Sequence, residues 1–248
     1  IAEWFAYRGN SRNMADLWDA LLTAFELLIR LDDALVEIVA LSLTVSVSAV
    51  AIATIAGLPL GAVIAVHRFP GRGVLTILLS ALMGLPPVVL GLVVYLMLSR
   101  SGPFGVFGLL FTPTAMIVAQ TLLVLPIVAS LSRQVADELW SEYREQLASL
   151  GVGTSRAVMT VLWDARYGLL TVVLAGFGRA SAEVGGVMIV GGNIDHVTRV
   201  MTTSIALEVS KGNLALALGL GIILVVLSVV VNGLVYFLRG NQRQGVTL

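Results

Sequence analysis

The chain alternates between long apolar stretches and short charged ones. No Asp, Glu, Lys or Arg occurs between Glu37 and Arg68, and three further stretches are equally free of charge. Each is longer than the roughly 20 apolar residues that cross a bilayer core as a helix. The pattern predicts an all-α integral membrane fold with spans near 38–66, 74–98, 112–132 and 213–238.

A fifth apolar stretch, 166–190, contains two charged residues, Arg179 and Glu183. We count it as a span because its length and remaining composition match the others. Proline and glycine interrupt some spans, most clearly at Gly84-Leu85-Pro86-Pro87. A broken helix is not tolerated facing lipid, so such a break indicates contact with protein or with a water-lined cavity.

Composition agrees with a membrane protein. The chain is 58% hydrophobic and 12% charged, with a mean hydropathy of +0.97, whereas a soluble domain carries about 25% charged residues. The formal net charge of zero argues against a nucleic-acid partner, which would require a basic face. The absence of cysteine excludes disulfides and thiolate metal sites.

The N-terminal residues differ from the rest of the chain. Residues 1–13 are polar and precede Met14, so we expect them to be an extraneous extension of a single membrane domain over 14–248. In 17–31, leucine and phenylalanine recur at helical spacing among charged residues. This predicts an interfacial helix on the membrane surface; the alternative is a helix packed against the bundle.

Basic residues are concentrated on one side of the predicted spans. They occupy the loop 67–72, the segment 133–166 and the tail 239–243, whereas the opposite loops hold only Arg100, Arg199 and Lys211. The positive-inside tendency places the C-terminus in the cytoplasm and the N-terminus outside the cell membrane.

The long hydrophilic segment between the predicted spans 112–132 and 166–190 has helical periodicity. Leu139, Tyr143, Leu147 and Leu150 recur at four, four and three residues, and Gly151 then permits the chain to turn back. An exposed amphipathic helix of this kind is suited to docking in a groove of another protein. The alternative is an ordinary cytoplasmic loop.

Part of this segment resembles the EAA motif of ABC importer permeases. Glu145 is followed six residues later by Gly151, as in that motif, although Gln146 and Leu147 replace the two alanines. Residues 84–120 (beginning GLPPVVLGLVVYL) and 178–218 (beginning GRASAEVGGVMIVGGN) resemble the tungstate-type ABC transporter permeases of the molybdate/tungstate group. The resemblance covers residues 17–240.

This resemblance implies a type I importer fold and a homodimer of permeases. It also implies two cytoplasmic ATPase subunits, which bind the ATP and Mg, and an extracytoplasmic tungstate-binding protein. The segment 137–158 would couple the permease to the ATPase. Its candidate contact residues are Glu142, Tyr143, Glu145, Leu147, Ala148, Leu150, Gly151 and Val152.

The sequence argues against catalysis by this chain. A phosphate-binding loop of the Gly-x4-Gly-Lys-Ser/Thr type requires a lysine, and the only lysine is Lys211, on the predicted outer side. An intramembrane hydrolase would require a nucleophile and a base within the spans, yet His67 and His196 lie in loops. We therefore expect no catalytic residue, no metal site and no cofactor in this chain.

Arg179 and Glu183 are the candidates for a translocation path. At a spacing of four residues they share a helix face and can pair, and charges inside a membrane are functional candidates because they are costly. One interpretation is a structural pair that packs the bundle. The other is that Arg179 offers a transient positive potential to a passing oxyanion.

The predicted outer loop after the fifth stretch is rich in hydrogen-bond donors. We expect it to contact the delivering protein or the ion. The docking candidates are Asn193, Thr198, Arg199, Thr202 and Thr203.

The residues and the resemblance together predict a non-catalytic permease subunit of an ATP-driven tungstate importer. A permease of the same fold that carries molybdate, sulfate, phosphate or a small organic solute is the alternative. A membrane scaffold or an intramembrane enzyme is a remote third possibility.

Overall fold

The computed structural model describes residues 22, 25 and 33–243, and this part of the chain is helical without strands. The predicted extension 1–13 lies outside the described residues. Of the predicted interfacial helix 17–31, only Leu22 and Phe25 are described, and both are helical and exposed. The helices are α1 (Asp33–Val66), α2 (Arg72–Met83), α3 (Pro87–Leu98), α4 (Pro113–Ser149), α5 (Thr154–Asp164), α6 (Arg166–Ser181), α7 (Gly185–Gly191), α8 (Met201–Ser210) and α9 (Leu214–Arg243), with a 3₁₀ turn at Gly105–Phe107.

The two longest helices, α1 and α4, run side by side in the same direction through the centre of the fold. Their backbones approach closely at Gly61, where an added Cβ atom would lie 2.5 Å from the carbonyl oxygen of Ala129. The Ser132 hydroxyl donates to the carbonyl of Leu58 at 2.9 Å. Small residues at the contact therefore let α4 lie directly on α1, and the remaining helices pack around this pair.

Contacts at the ends of α1 and α4 define the two ends of the bundle. At one end, Glu37 of α1 meets His196, and the N–H of Phe111 donates to the carbonyl of Val190 just before α4 begins. We call this the His196 end. At the other, alanines of α1 pack on Ala136 of α4. We call this the Asp137 end.

Helix α4 is longer than the span that the charge gap predicts. The predicted span 112–132 is its first part, and the helix continues without a break through the charged residues to Ser149. At 37 residues it is about 55 Å long, well beyond the ~30 Å hydrocarbon core. The predicted span and most of the predicted coupling segment are therefore one helix.

Two further predicted spans are broken. The span predicted at 74–98 consists of α2 and α3, which meet at an angle of 102° across Gly84–Pro86. Pro87 occupies the first turn of α3, where its missing N–H leaves no helix carbonyl unpaired. The stretch predicted at 166–190 is likewise divided, into α6 and α7, by residues 182–184.

The number of spans agrees with an all-α membrane protein. Within the described residues, three helices (α1, α4 and α9) are long and apolar enough to cross a membrane, and up to five spans result if each bent pair is one span. The second bent pair is α5 with α6, at 73°, rather than α6 with α7. If α5 and α6 form one span, its bounds differ from the predicted 166–190.

Candidate functional site

The predicted coupling segment forms a sharp reversal at the Asp137 end. Helix α4 stops at Ser149, and Gly151 follows with a φ of +66°, a conformation that favours glycine. The N–H of Val152 then donates to the carbonyl of Leu147 at 3.0 Å, which closes the helix end. The chain returns as α5, so the reversal leaves the Glu145–Gly151 stretch at the tip.

Part of the leucine stripe of this segment faces inward. Leu139, Leu147 and Val152 are partly buried against an apolar cluster that includes Ala157 and Val161 of α5. Periodicity correctly indicated an amphipathic helix, but we expected its apolar face to meet a partner protein, and for Leu139 and Leu147 this was wrong. The apolar face is covered because α5 folds back onto it.

The exposed surface of the tip is instead largely polar. Leu150 is the one large apolar side chain exposed among the predicted contact residues, at 75%. Tyr143 is half-buried. Sequence reasoning missed two exposed apolar side chains on α5, Met159 and Trp163, at 70% and 69%. The exposed members of the predicted set are Glu142, Glu145, Ala148, Leu150 and Gly151.

The predicted pairing of Arg179 with Glu183 is present. The guanidinium Nη1 lies 3.1 Å from Glu183 Oε2, and Oε1 of the same carboxylate accepts from the N–H of Gly186 at 2.9 Å. Glu183 is 4% exposed and Arg179 31%. Because α6 ends at Ser181, the carboxylate lies in the break between α6 and α7 and binds a group on each side of it.

A small cavity lined by both apolar and polar side chains lies beside Glu183, inside the bundle. Gln120 of α4 donates from Nε2 to the carbonyl of Ala180 at 3.1 Å, while its Oε1 is buried without a partner. Thr202 donates to the carbonyl of Glu183 at 2.8 Å. The lining residues, all within the described part of the chain, include no cationic side chain.

Glycine contacts hold α7 against α3 near this pair. A Cβ atom added at Gly91 of α3 would lie 2.7 Å from the Cα atom of Gly186. Gly186 is also the residue whose N–H binds Glu183. Sequence reasoning missed this contact, and it also missed Gln120. A lone amide in the apolar stretch 112–132 was a signal that could have found Gln120.

Three of the predicted docking residues are buried. Thr198, Thr202 and Thr203 are at most 9% exposed, and their hydroxyls bind backbone groups within the chain. The expectation that these hydroxyls form a docking surface was therefore wrong. Short hydroxyl side chains satisfy buried backbone groups at the turns here, which the sequence alone does not distinguish from exposure.

The accessible part of the loop at the His196 end holds charged side chains together with the exposed Ile194 and Val197. Arg199 donates to Asp195 at 2.6 Å, and Asn193, also predicted, is half-buried. His196 Nδ1 lies 2.7 Å from Glu37 Oε2. Its hydrogen bond to Glu37, together with the charges of Glu37 and Asp195, raises the pKa of His196. The loop is thereby tied to the first turns of α1.

Comparison with known proteins identifies the family. Residues 57–244 match the family model of the binding-protein-dependent transport system inner membrane component. The chain is 45% identical over 205 residues to a probable anion ABC transporter permease protein of Haloferax volcanii, covering 81% of this chain and 88% of that protein. It is 40% identical over 216 residues to the tungstate uptake system permease protein of Peptoclostridium acidaminophilum, covering 87% and 95%.

A sulfate transport system permease protein of Synechocystis is more distant, at 30% identity over 200 residues, with 77% of this chain and 72% of that protein covered. Together with the helical membrane fold, these matches confirm the resemblance to ABC importer permeases. Membership implies a multi-pass plasma membrane protein that works with an ATPase and a substrate-binding protein. The chain belongs to the binding-protein-dependent inner membrane components, as an ABC transporter permease of the group that includes tungstate, sulfate and molybdate permeases.

Proposed function

We propose that this chain is the permease subunit of a tungstate importer, and that a partner subunit hydrolyses the ATP. The proposal that the cargo is tungstate rests on the 40% identity to a tungstate uptake permease over 95% of that protein. Molybdate and sulfate remain the alternative cargoes because permeases named for each also match, at 28% and 30% identity.

In the proposed complex, the tip at residues 142–152 contacts the ATPase. The exposed Glu145, Leu150 and Gly151 support this, since they lie at the far end of a helix that extends beyond a bilayer core. The same helix carries Gln120 next to Glu183. Movement of the tip would therefore be transmitted along α4 to the break between α6 and α7, which supports alternating access.

The assembled permease is a homodimer in this proposal, with the C-terminus in the cytoplasm. Helix α9 presents the least buried of the three long apolar windows, 17% against 50% and 61% for α1 and α4. Its exposed valines, with Val209 of the neighbouring α8, form an apolar face that suits either a second copy or lipid. The binding protein would dock at the His196 end, on Asn193, Asp195, His196 and Arg199.

We interpret Arg179 and Glu183 primarily as a tie between α6 and α7. The near-complete burial of the carboxylate supports this interpretation, as does its second bond to Gly186. The exposed third of Arg179 is the one part of the pair that a passing oxyanion could approach.

Uptake by the reconstituted complex tests the cargo. We expect vesicles containing this permease, its ATPase and its binding protein to accumulate labelled tungstate only when ATP is enclosed inside the vesicles. An excess of unlabelled molybdate is expected to compete more weakly than unlabelled tungstate, and sulfate more weakly still. Sulfate or molybdate competing better than tungstate would assign the cargo to that ion.

Glu145→Ala and Gly151→Ala are expected to lower the ATPase stimulation that the binding protein produces, at unchanged permease content. The first removes an exposed charge from the tip, and the second forces alanine into the left-handed region, at a cost of about 1–2 kcal/mol. Glu138→Ala serves as the control, since Glu138 is exposed on the same helix but lies outside the predicted contact set. Stimulation equal to wild type in both tip variants would contradict a coupling role.

A further inference from the structure

A three-residue ion cluster lies where α2 begins. Asp137 of α4 accepts from Arg72 Nη2 at 2.7 Å through one carboxylate oxygen and from Arg133 through the other. Arg72 is the first residue of α2, and Arg133 is one turn earlier on α4. The bond from Arg72 therefore joins two helices, whereas that from Arg133 stays within one. We call these three residues the Asp137 clamp.

The clamp groups are partly shielded from water. Arg133 is 18% exposed, and Arg72 and Asp137 are each 31% exposed. A single carboxylate separates two guanidinium groups that would otherwise repel each other. Both carboxylate oxygens are used, so the loss of either arginine leaves one of them without its charged donor.

The clamp lies between the tip and the body of the protein. Asp137 is about three helical turns from Ser149, where α4 ends. Beyond the clamp, Leu79 of α2 packs on Ala129 of α4 and Ile64 of α1. The clamp and this apolar contact both attach α2 to α4, after a loop in which Gly71 has a φ of +93°.

Helix α2 leads in turn to the buried pair. It continues through the 102° bend into α3, and α3 meets α7 at the Gly91–Gly186 contact. Gly186 binds Glu183 through its N–H. A contiguous set of packed groups therefore runs from the Asp137 clamp through α2 and α3 to the Arg179–Glu183 pair.

We propose that the Asp137 clamp fastens α2 to α4, so that α2 and α3 follow α4 when the ATPase moves the tip. Asp137 and Arg72 are positioning residues in this proposal, which rests on the proposed transport function. Arg72 is the residue to change, because its removal leaves the Arg133–Asp137 bond within α4 intact. Loss of Asp137 would instead leave two facing arginines.

The ratio of cargo transported to ATP hydrolysed tests the clamp in the reconstituted transporter. For Arg72→Ala we expect binding-protein-stimulated ATP hydrolysis to persist while tungstate moved per ATP falls by about fivefold or more, the lower range of energetic coupling between sites. Arg72→Lys, which keeps the charge, should restore most of the ratio. Arg68→Ala, at an exposed arginine of the adjoining loop, should match wild type.

A purely structural role for Arg72 would lower hydrolysis and uptake together, in proportion to the assembled protein. That result, or an Arg72→Ala variant with the wild-type ratio, would overturn the proposal. Absence of uptake by the wild-type transporter would instead count against the proposed function.

A second measurement does not depend on cargo. The chain has no cysteine, so Val74→Cys on α2 and Glu138→Cys on α4, both at exposed positions, can carry a pair of spin labels. Trapping the ATPase with vanadate should leave the distance between the labels unchanged in the otherwise wild-type background and change it in the Arg72→Ala background. A distance that changes equally in both backgrounds would refute the clamp even if the cargo is not tungstate.

Discussion

Arg179→Met is expected to remove most of the folded permease from the membrane, and the double variant Arg179→Met/Glu183→Gln to restore it. The single substitution leaves the carboxylate of Glu183, 4% exposed, with the N–H of Gly186 as its one partner among the described residues. Removing one member of a buried ion pair costs about 3–5 kcal/mol because the other charge stays uncompensated. In the double variant, a neutral amide keeps an acceptor for Gly186, and no buried charge remains.

The amount of monodisperse protein after detergent extraction and its unfolding temperature measure this effect. Asp195→Ala is a matched control, since it also breaks an i,i+4 ion pair with an arginine, but at a carboxylate that is 60% exposed. Exposed pairs contribute about 1 kcal/mol or less. A single Arg179→Met variant as stable as this control would show that the buried pair contributes little to the fold.

Uptake by the double variant separates the two roles of Arg179. If the pair is a tie between α6 and α7, as we interpret it, the double variant should transport at close to the wild-type rate per assembled complex. If Arg179 supplies positive potential to the cargo, the double variant should assemble and still fail to transport. The second result would assign Arg179 to the translocation path.

The charge gaps located apolar helices but not their ends, for a physical reason. The end of a charge gap marks where the chain leaves the hydrocarbon core. A helix, however, continues as long as its backbone hydrogen bonds are satisfied. Helix α4 therefore passes the predicted limit at residue 132 and ends only where Gly151 permits a turn. Similarly, Pro86 and Pro87 predicted a break, but the 102° angle depends on the helices that α2 and α3 contact.

The candidate sites were predicted in part. The i,i+4 spacing of Arg179 and Glu183 was sufficient to predict their pairing, because it depends on local geometry alone. The prediction that the leucine stripe faces a partner protein was wrong for Leu139 and Leu147. Helix α5 covers these two side chains after the chain turns back, and the periodicity of α4 alone does not show that turn. The Arg72–Asp137 bond joins residues 65 positions apart, and no periodicity within a single helix points to such a contact.

Gly61→Ala is expected to destabilise the permease more than an alanine substitution at a glycine with free space. The added Cβ atom would lie 2.5 Å from the carbonyl oxygen of Ala129 and 2.7 Å from both the backbone nitrogen of Arg133 and the Cβ atom of Ser132. Two of these atoms belong to the backbone of α4, which cannot move away as a flexible side chain would. Overpacking of this kind costs about 1–3 kcal/mol and sometimes more.

Separation of α1 from α4 at Gly61 would also break the 2.9 Å bond from Ser132 to Leu58. Gly73→Ala is the control, because Gly73 lies in α2 with no atom within 4 Å of an added Cβ. Alanine favours a helix over glycine by about 1 kcal/mol, so the control should be neutral or stabilising while Gly61→Ala lowers the unfolding temperature. Equal unfolding temperatures for the two variants would mean that α1 and α4 are not in close contact at Gly61. In that case α1 would not support α4 at this point when α4 transmits movement from the tip.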